Sequence, residues 1–203
     1  MQDSTNDSEI RERLSLIENM IAEGRRTTES WGWTFVLWGI AYYVAIAWSY
    51  FSNAVYVWPV TMVAASLLMG VLISRRAARR PDTTVGRSMM AIWLGMGISL
   101  FLLLLCLGLS GRLDFHISVA IIGAMLGMAN ATSSVILRWK MQFASAVVWW
   151  AAAVAACFTS DKLTVAAFLV AIFFCQIVFG VYGMIAESRE LKARGTRQGA
   201  SHA

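Results

Sequence analysis

Charge is what this sequence has least of. Asp, Glu, Lys and Arg make up 14% of its 203 residues, against about 25% in a soluble domain, which needs a polar shell around its core. That supply is too small for an ordinary soluble globule. Histidine is nearly absent as well: only His116 and His202 occur, and neither has a carboxylate pair or a Cys-x-x-Cys beside it, so the ligand set of a zinc or haem site is missing. No metal and no cofactor is expected. The sequence also holds no Gly-x-x-x-x-Gly-Lys-Ser/Thr loop and no Gly-x-Ser-x-Gly elbow, so ATP coupling and serine-hydrolase chemistry lack their parts.

What is present is apolar. Residues of the AVILMFWYC set make up 58% of the chain, mean hydropathy is +0.61, and counting the 15 glycines brings the apolar share to about 65%, against roughly 45–50% in soluble proteins. Disorder is excluded by the same composition. A bilayer core is about 30 Å thick and a helix rises about 1.5 Å per residue, so some 18 or more apolar residues in a run make a spanning helix. Six stretches meet that test, at about 31–51, 54–74, 88–110, 115–137, 141–159 and 163–186. Runs such as Leu100 to Leu107 do not alternate, which excludes the ten-residue dyad pattern of a membrane β-barrel. The fold class read from this is all-α: a polytopic membrane bundle of six transmembrane helices preceded by a short amphipathic helix.

Every Asp, Glu, Lys and Arg lies outside the six runs, and the basic ones are sorted by side. The N-terminal segment, the 75–87 loop, the Arg138–Lys140 connection and the segment after the last run hold four, five, two and four of them, which leaves Arg112 and Lys162 for the opposite side. Because cytoplasmic loops retain Lys and Arg, this puts residues 1–30 and the 187–203 tail in the cytoplasm. The net charge of +5 and pI near 9.4 are then a topology signal, and no nucleic-acid partner is implied.

Within 8–23, Ile10, Leu14, Ile17 and Ile21 recur at helical spacing on one face, which predicts an amphipathic helix resting on the membrane or docking on a partner or second protomer. In the 75–87 loop, Arg75, Arg76, Arg79 and Arg80 form two pairs four apart before Pro81, a cluster suited to orientation and to anionic lipid headgroups. The small polar stretch from Gly195 to Ala203 is expected to be disordered.

Inside the spans the ionisable Asp, Glu, Lys and Arg that mark proton or ion paths are lacking, which argues against a proton-coupled carrier or a charged-substrate pump. What remains is weaker: the stretch Asn130-Ala-Thr132-Ser133-Ser134 in the fourth run, and Gln176 in the sixth. They read first as interhelical hydrogen-bonding glue and, alternatively, as a polar cavity for a neutral solute or lipid headgroup. Gly123 with Gly127, and Gly180 with Gly183, put small residues where helices can approach closely, either within the bundle or in a homo-oligomer. The nine tryptophans mostly fall near the ends of the runs, as an interfacial belt does. Cys106 and Cys157 lie near the outer ends of their helices and Cys175 near mid-membrane. Apolar packing is the reading for all three, with a disulfide between the outer two as the alternative.

Leu14-x-x-Ile17-x-x-Met20-Ile21, then Trp31-Gly-Trp33 and Phe35-Val-Leu-Trp38-Gly39, resembles the opening of small uncharacterised bacterial polytopic inner-membrane proteins. The likeness covers residues 10–45; it implies a bacterial cytoplasmic membrane and several spans, and carries over no catalytic residue and no substrate. The expected function is that of a non-enzymatic accessory or regulatory membrane protein engaging membrane lipids or a protein partner through its basic cytoplasmic face. A transporter or channel for a neutral or weakly polar solute is the alternative.

Overall fold

The computed structural model describes residues 10, 12–16, 32–52, 56–77 and 84–200, apart from the side chains of 76, 77, 84 and 190–200. Among the described residues there is no strand. The helices are α1 (Gly32–Phe51), α2 (Val57–Ala77), α3 (Thr84–Leu109), α4 (Phe115–Leu137), α5 (Lys140–Phe158), α6 (Asp161–Ile172) and α7 (Phe179–Ala200), and a π segment, Phe173–Val178, joins α6 to α7. Six stretches are long and apolar enough to cross a membrane: Gly32–Phe51, Val57–Arg75, Val85–Leu109, Phe115–Leu137, Lys140–Phe158 and Asp161–Arg189. Their outer faces are apolar too, with Leu68, Leu94, Leu102, Val135 and Val154 among many exposed hydrophobics. A helix apolar on every side belongs in lipid, where all its backbone groups are already paired. The protein is a multi-pass integral membrane protein built as a helical bundle.

Residues 10 and 12–16 are helical, and Ile10 and Leu14 are exposed; Ile17 and Ile21 lie outside the described residues. The C-terminal expectation is corrected, because α7 continues through Gly195 to Ala200. The Glu190-Leu-Lys-Ala-Arg194 run that leads into it is made of good helix formers, and the helix carries on past them.

Cover is uneven. Half of the α4 span is buried inside the bundle and 39% of the α5 span, but only 11% of the α2 span and 6% of the α3 span. The centre is α1, α4, α5 and the α6–π–α7 rod; α2 leans on α1 and α3 on α4. Two glycine crossings set how close the central helices come. A Cβ at Gly123 would sit 2.8 Å from the carbonyl oxygen of Trp149, and one at Gly180 would sit 2.6 Å from that of Gly32. Only hydrogen fits there, so α4 meets α5, and α1 meets α7, backbone against backbone.

Tyr42, Leu126, Trp149, Phe168 and Ile172 lie in the main core. Trp149 is fully buried, with its ring 6.0 Å from that of Phe168, so it is a core residue rather than part of an interfacial belt. A second cluster closes the basic end: Phe35, Trp139 and Phe179, with ring centroids 5.1 Å apart for Phe35 and Phe179 and 4.9 Å for Trp139 and Phe179. The turn between α4 and α5 is short because Arg138 takes the left-handed conformation, φ 48°, and the Trp139 N–H donates to the Ser134 carbonyl at 2.9 Å.

Candidate functional site

The interior polar groups gather in the half of the bundle nearer the basic end. Asn130 is buried; its Nδ2 donates to the Leu126 carbonyl one turn back at 2.8 Å, which fixes the amide orientation and leaves Oδ1 unpaired. Ser134 is buried and donates to the Ala131 carbonyl at 2.7 Å. Thr132, two residues from Asn130 and so on the opposite side of the helix, is exposed and bonded back to the Met128 carbonyl at 2.9 Å. Gln176 is buried in the π segment with Oε1 unpaired. Of the four polar residues expected to form a cavity, three are inside and Thr132 faces out.

Asn130 and Gln176 do not bond to each other, since the oxygens of both are unpaired. Helix α5 packs against both α4 and the π segment; it supplies Gln142 and Trp149, which sequence reasoning missed, and α4 adds Ser133. Gln142 is fully buried with both amide atoms unpaired, Ser133 is fully buried with its hydroxyl unpaired, and the Trp149 indole N–H is unpaired as well. The antiparallel register that sets Gly123 between Trp149 and Ala153 carries Ser133 close to the level of Gln142 and Asn130 close to that of Ser145. The Cys175 thiol donates to the Ser145 carbonyl at 3.5 Å, which brings Gln176 to the same depth. The signal that could have found them is periodicity: Gln142, Ser145, Trp149 and Ala152 fall on one helix face.

A buried donor or acceptor left unpaired costs about 1–3 kcal/mol, so the layer favours any occupant that offers both donors and acceptors. Its groups are amide oxygens, an amide NH2, a hydroxyl and an indole N–H, and none carries a charge. That chemistry matches water or a neutral polar molecule rather than an ion.

A second cluster lies at the opposite end. Asp114 caps α4 by accepting from the His116 backbone N–H at 2.9 Å. The His116 ring stands between Asp161 Oδ1, 2.7 Å from Nε2, and the Ala156 carbonyl oxygen, 2.7 Å from Nδ1. No carboxylate pair stands beside His116 in the sequence; Asp161, the first residue of α6, comes to it from forty-five positions away. Thr164 is fully buried, with Oγ1 3.3 Å from His116 Nδ1 and 2.9 Å from Thr159 Oγ1. Threonine, histidine and aspartate in a row suggest a nucleophile relay, but the geometry does not work as one. A carbonyl oxygen only accepts, so Nδ1 must donate to Ala156 and cannot take a proton from Thr164. Asp161, at 87% exposure, is the solvent-facing end. The cluster ties together the ends of α4, α5 and α6 that lie away from Arg138.

Cys106, Cys157 and Cys175 are all free thiols. Among the described residues no group of three or more His, Cys, Asp or Glu comes together. Arg75 is exposed at the end of its span; the Arg76 side chain and all of Arg79 and Arg80 lie outside what is described. Gly127 packs under the Trp150 indole, and Gly180 and Gly183 pack against Gly32. No family model, curated protein or solved structure matches this chain.

Proposed function

We propose that the protein is a non-enzymatic accessory or regulatory component of a bacterial cytoplasmic membrane, with both termini in the cytoplasm, that engages anionic lipid or a protein partner through its basic face. One observation carries the reading: the two spans that the chain itself covers least, α2 and α3, are the two joined by the arginine-rich 75–87 segment. The strongest concentration of positive charge therefore belongs to the outermost helices, where lipid headgroups or a neighbouring protein can reach it. Capture of partners from mild detergent, with and without residues 1–24, tests the partner arm. Loss of a defined partner on truncation supports the reading, and identical capture by both forms counts against it.

A second reading, a transporter or channel for a neutral or weakly polar solute, is favoured by the uncharged layer around Asn130, Gln142 and Gln176 and its unpaired atoms. Solute flux in reconstituted vesicles tests it. Replacement of Asn130 and Gln176 together by apolar residues with flux unchanged would remove the layer from any solute path.

A further inference from the structure

Helices α1 and α2 pack side by side, with Tyr42 against Trp58, and leave an open-sided groove of about 500 Å³ between them. Its floor holds Ala41, Thr61 and Ala65, all buried, and its walls include Ile40 and Leu68, both exposed on the outside of the bundle. The one hydroxyl on the floor is already used, since Thr61 donates to the Val57 carbonyl at 2.8 Å, so what the groove offers is apolar. Behind it, Trp38 Nε1 donates to Met69 Sδ at 3.1 Å and pins the two helices together.

Along α1 the lining runs from Trp33 to Val44, about 16 Å at 1.5 Å per residue. That is about half of a 30 Å hydrocarbon core, or one leaflet. The end at Trp33 is the basic end, because α1 starts there and α2 finishes there. Leu68 and Arg75 are seven residues apart on α2 and therefore on one face, so the exposed Arg75 stands two turns beyond the last α2 residue of the lining, near the level of Trp33 by the register that pairs Trp38 with Met69. An apolar channel one leaflet deep, with an indole and an arginine at its interfacial end, is complementary in length, polarity and charge to a single amphiphile.

We propose that the α1–α2 groove binds one anionic phospholipid, an acyl chain lying from Trp33 towards Val44 and the phosphate held at Arg75. The site deepens the reading that the basic side engages lipid, and rests on it. It gives that engagement a defined stoichiometry, and it distinguishes a seated lipid from general attraction by the basic segments.

Native mass spectrometry of the full chain, released from detergent with phosphatidylglycerol or phosphatidylcholine, tests it. The wild-type chain is expected to retain one phospholipid and to favour phosphatidylglycerol about fivefold, the factor that roughly 1 kcal/mol per basic residue at a membrane surface carries. Ala64→Phe fills the groove from an exposed lining position, where folding is not at stake, and should cut retention of both lipids at least tenfold; Ala65→Leu checks the same from the floor. Arg75→Gln should keep a bound lipid but bring the headgroup preference close to one, while Arg87→Gln, at the same end on α3, should change neither.

Retention that survives both Ala64→Phe and Ala65→Leu overturns the groove as the site. If the phosphatidylglycerol preference persists in those two variants, the broader lipid reading stands without it. No preference in the wild-type chain overturns both. A dimer that Ala64→Phe splits into monomers would give the groove to a second copy and overturn the lipid assignment.

Discussion

His116 Nε2 lies 2.7 Å from Asp161 Oδ1, and the same ring reaches the Ala156 carbonyl oxygen through Nδ1 at 2.7 Å. One side chain in the first turn of α4 thereby holds the last turn of α5 and the first turn of α6. With only a short connection, Thr159–Ser160, between α5 and α6, this imidazole fixes how α4 meets the α5–α6 hairpin at the end away from Arg138. Both ring nitrogens face acceptors, an arrangement satisfied in full only when each carries a proton.

Removing the ring should therefore cost more than removing its exposed partner. His116→Ala is expected to lower the thermal unfolding midpoint in detergent more than Asp161→Asn, because it also releases the Ala156 carbonyl and Thr164. The Asp161→Asn effect should shrink as salt is raised, since Asp161 is largely exposed and such charges are screened. An Asp161→Asn loss equal to that of His116→Ala at every salt concentration would mean that the pair, not the three-helix tie, matters.

The glycines of the bundle should divide into two classes. At Gly123 an added side chain meets the Trp149 backbone, but at Gly95 and Gly97 it meets nothing within 4 Å. Gly123→Leu is expected to destabilise by about 1–3 kcal/mol or more, since a helix backbone cannot rotate aside as a side chain can. Gly95→Leu should stay within about 0.5 kcal/mol of wild type. Unfolding by mixed-micelle titration separates the two, and equal losses would show that α3 is covered by something other than lipid.

The spans were legible because two independent signals agree on them: run length against bilayer thickness, and the exclusion of every Asp, Glu, Lys and Arg from the runs. The burial of Asn130 and Gln176 followed from the cost of presenting an amide to lipid. Thr132 was misplaced because a hydroxyl can satisfy itself on its own helix, as it does on Met128, and so tolerates lipid. Gln142 is the second residue of the 141–159 run, two positions after Lys140, where an amide at the end of a span can reach interfacial water and so gives no signal of burial. Neither the π segment nor the His116–Asp161 contact has a local pattern: the first depends on how Phe173–Val178 fits between α1 and α5, the second on how the α4–α5 and α6 ends close.

The polar layer makes its own stability prediction. Gln142 is fully buried with neither amide atom paired, so Gln142→Leu should raise stability in detergent by about 1–3 kcal/mol, the usual penalty for such groups. If the substitution instead destabilises, the amide is bonded to something inside the folded protein, and the layer acquires an occupant worth identifying by flux or mass measurement.

Orientation can be read from the cysteines already present. Cys157 is the penultimate residue of α5, at the end away from Arg138 and Lys140, and it is exposed. Cys175 is buried against the Ser145 carbonyl. If the termini are cytoplasmic as proposed, a membrane-impermeant maleimide added to intact cells should label Cys157 in a Cys106→Ala background and leave Cys175 unlabelled until the protein is denatured. Cys157 labelling that requires permeabilised cells would invert the topology. It would put Arg75 and the mouth of the α1–α2 groove on the outer leaflet, so the lipid seated there would have to be drawn from the opposite face of the membrane.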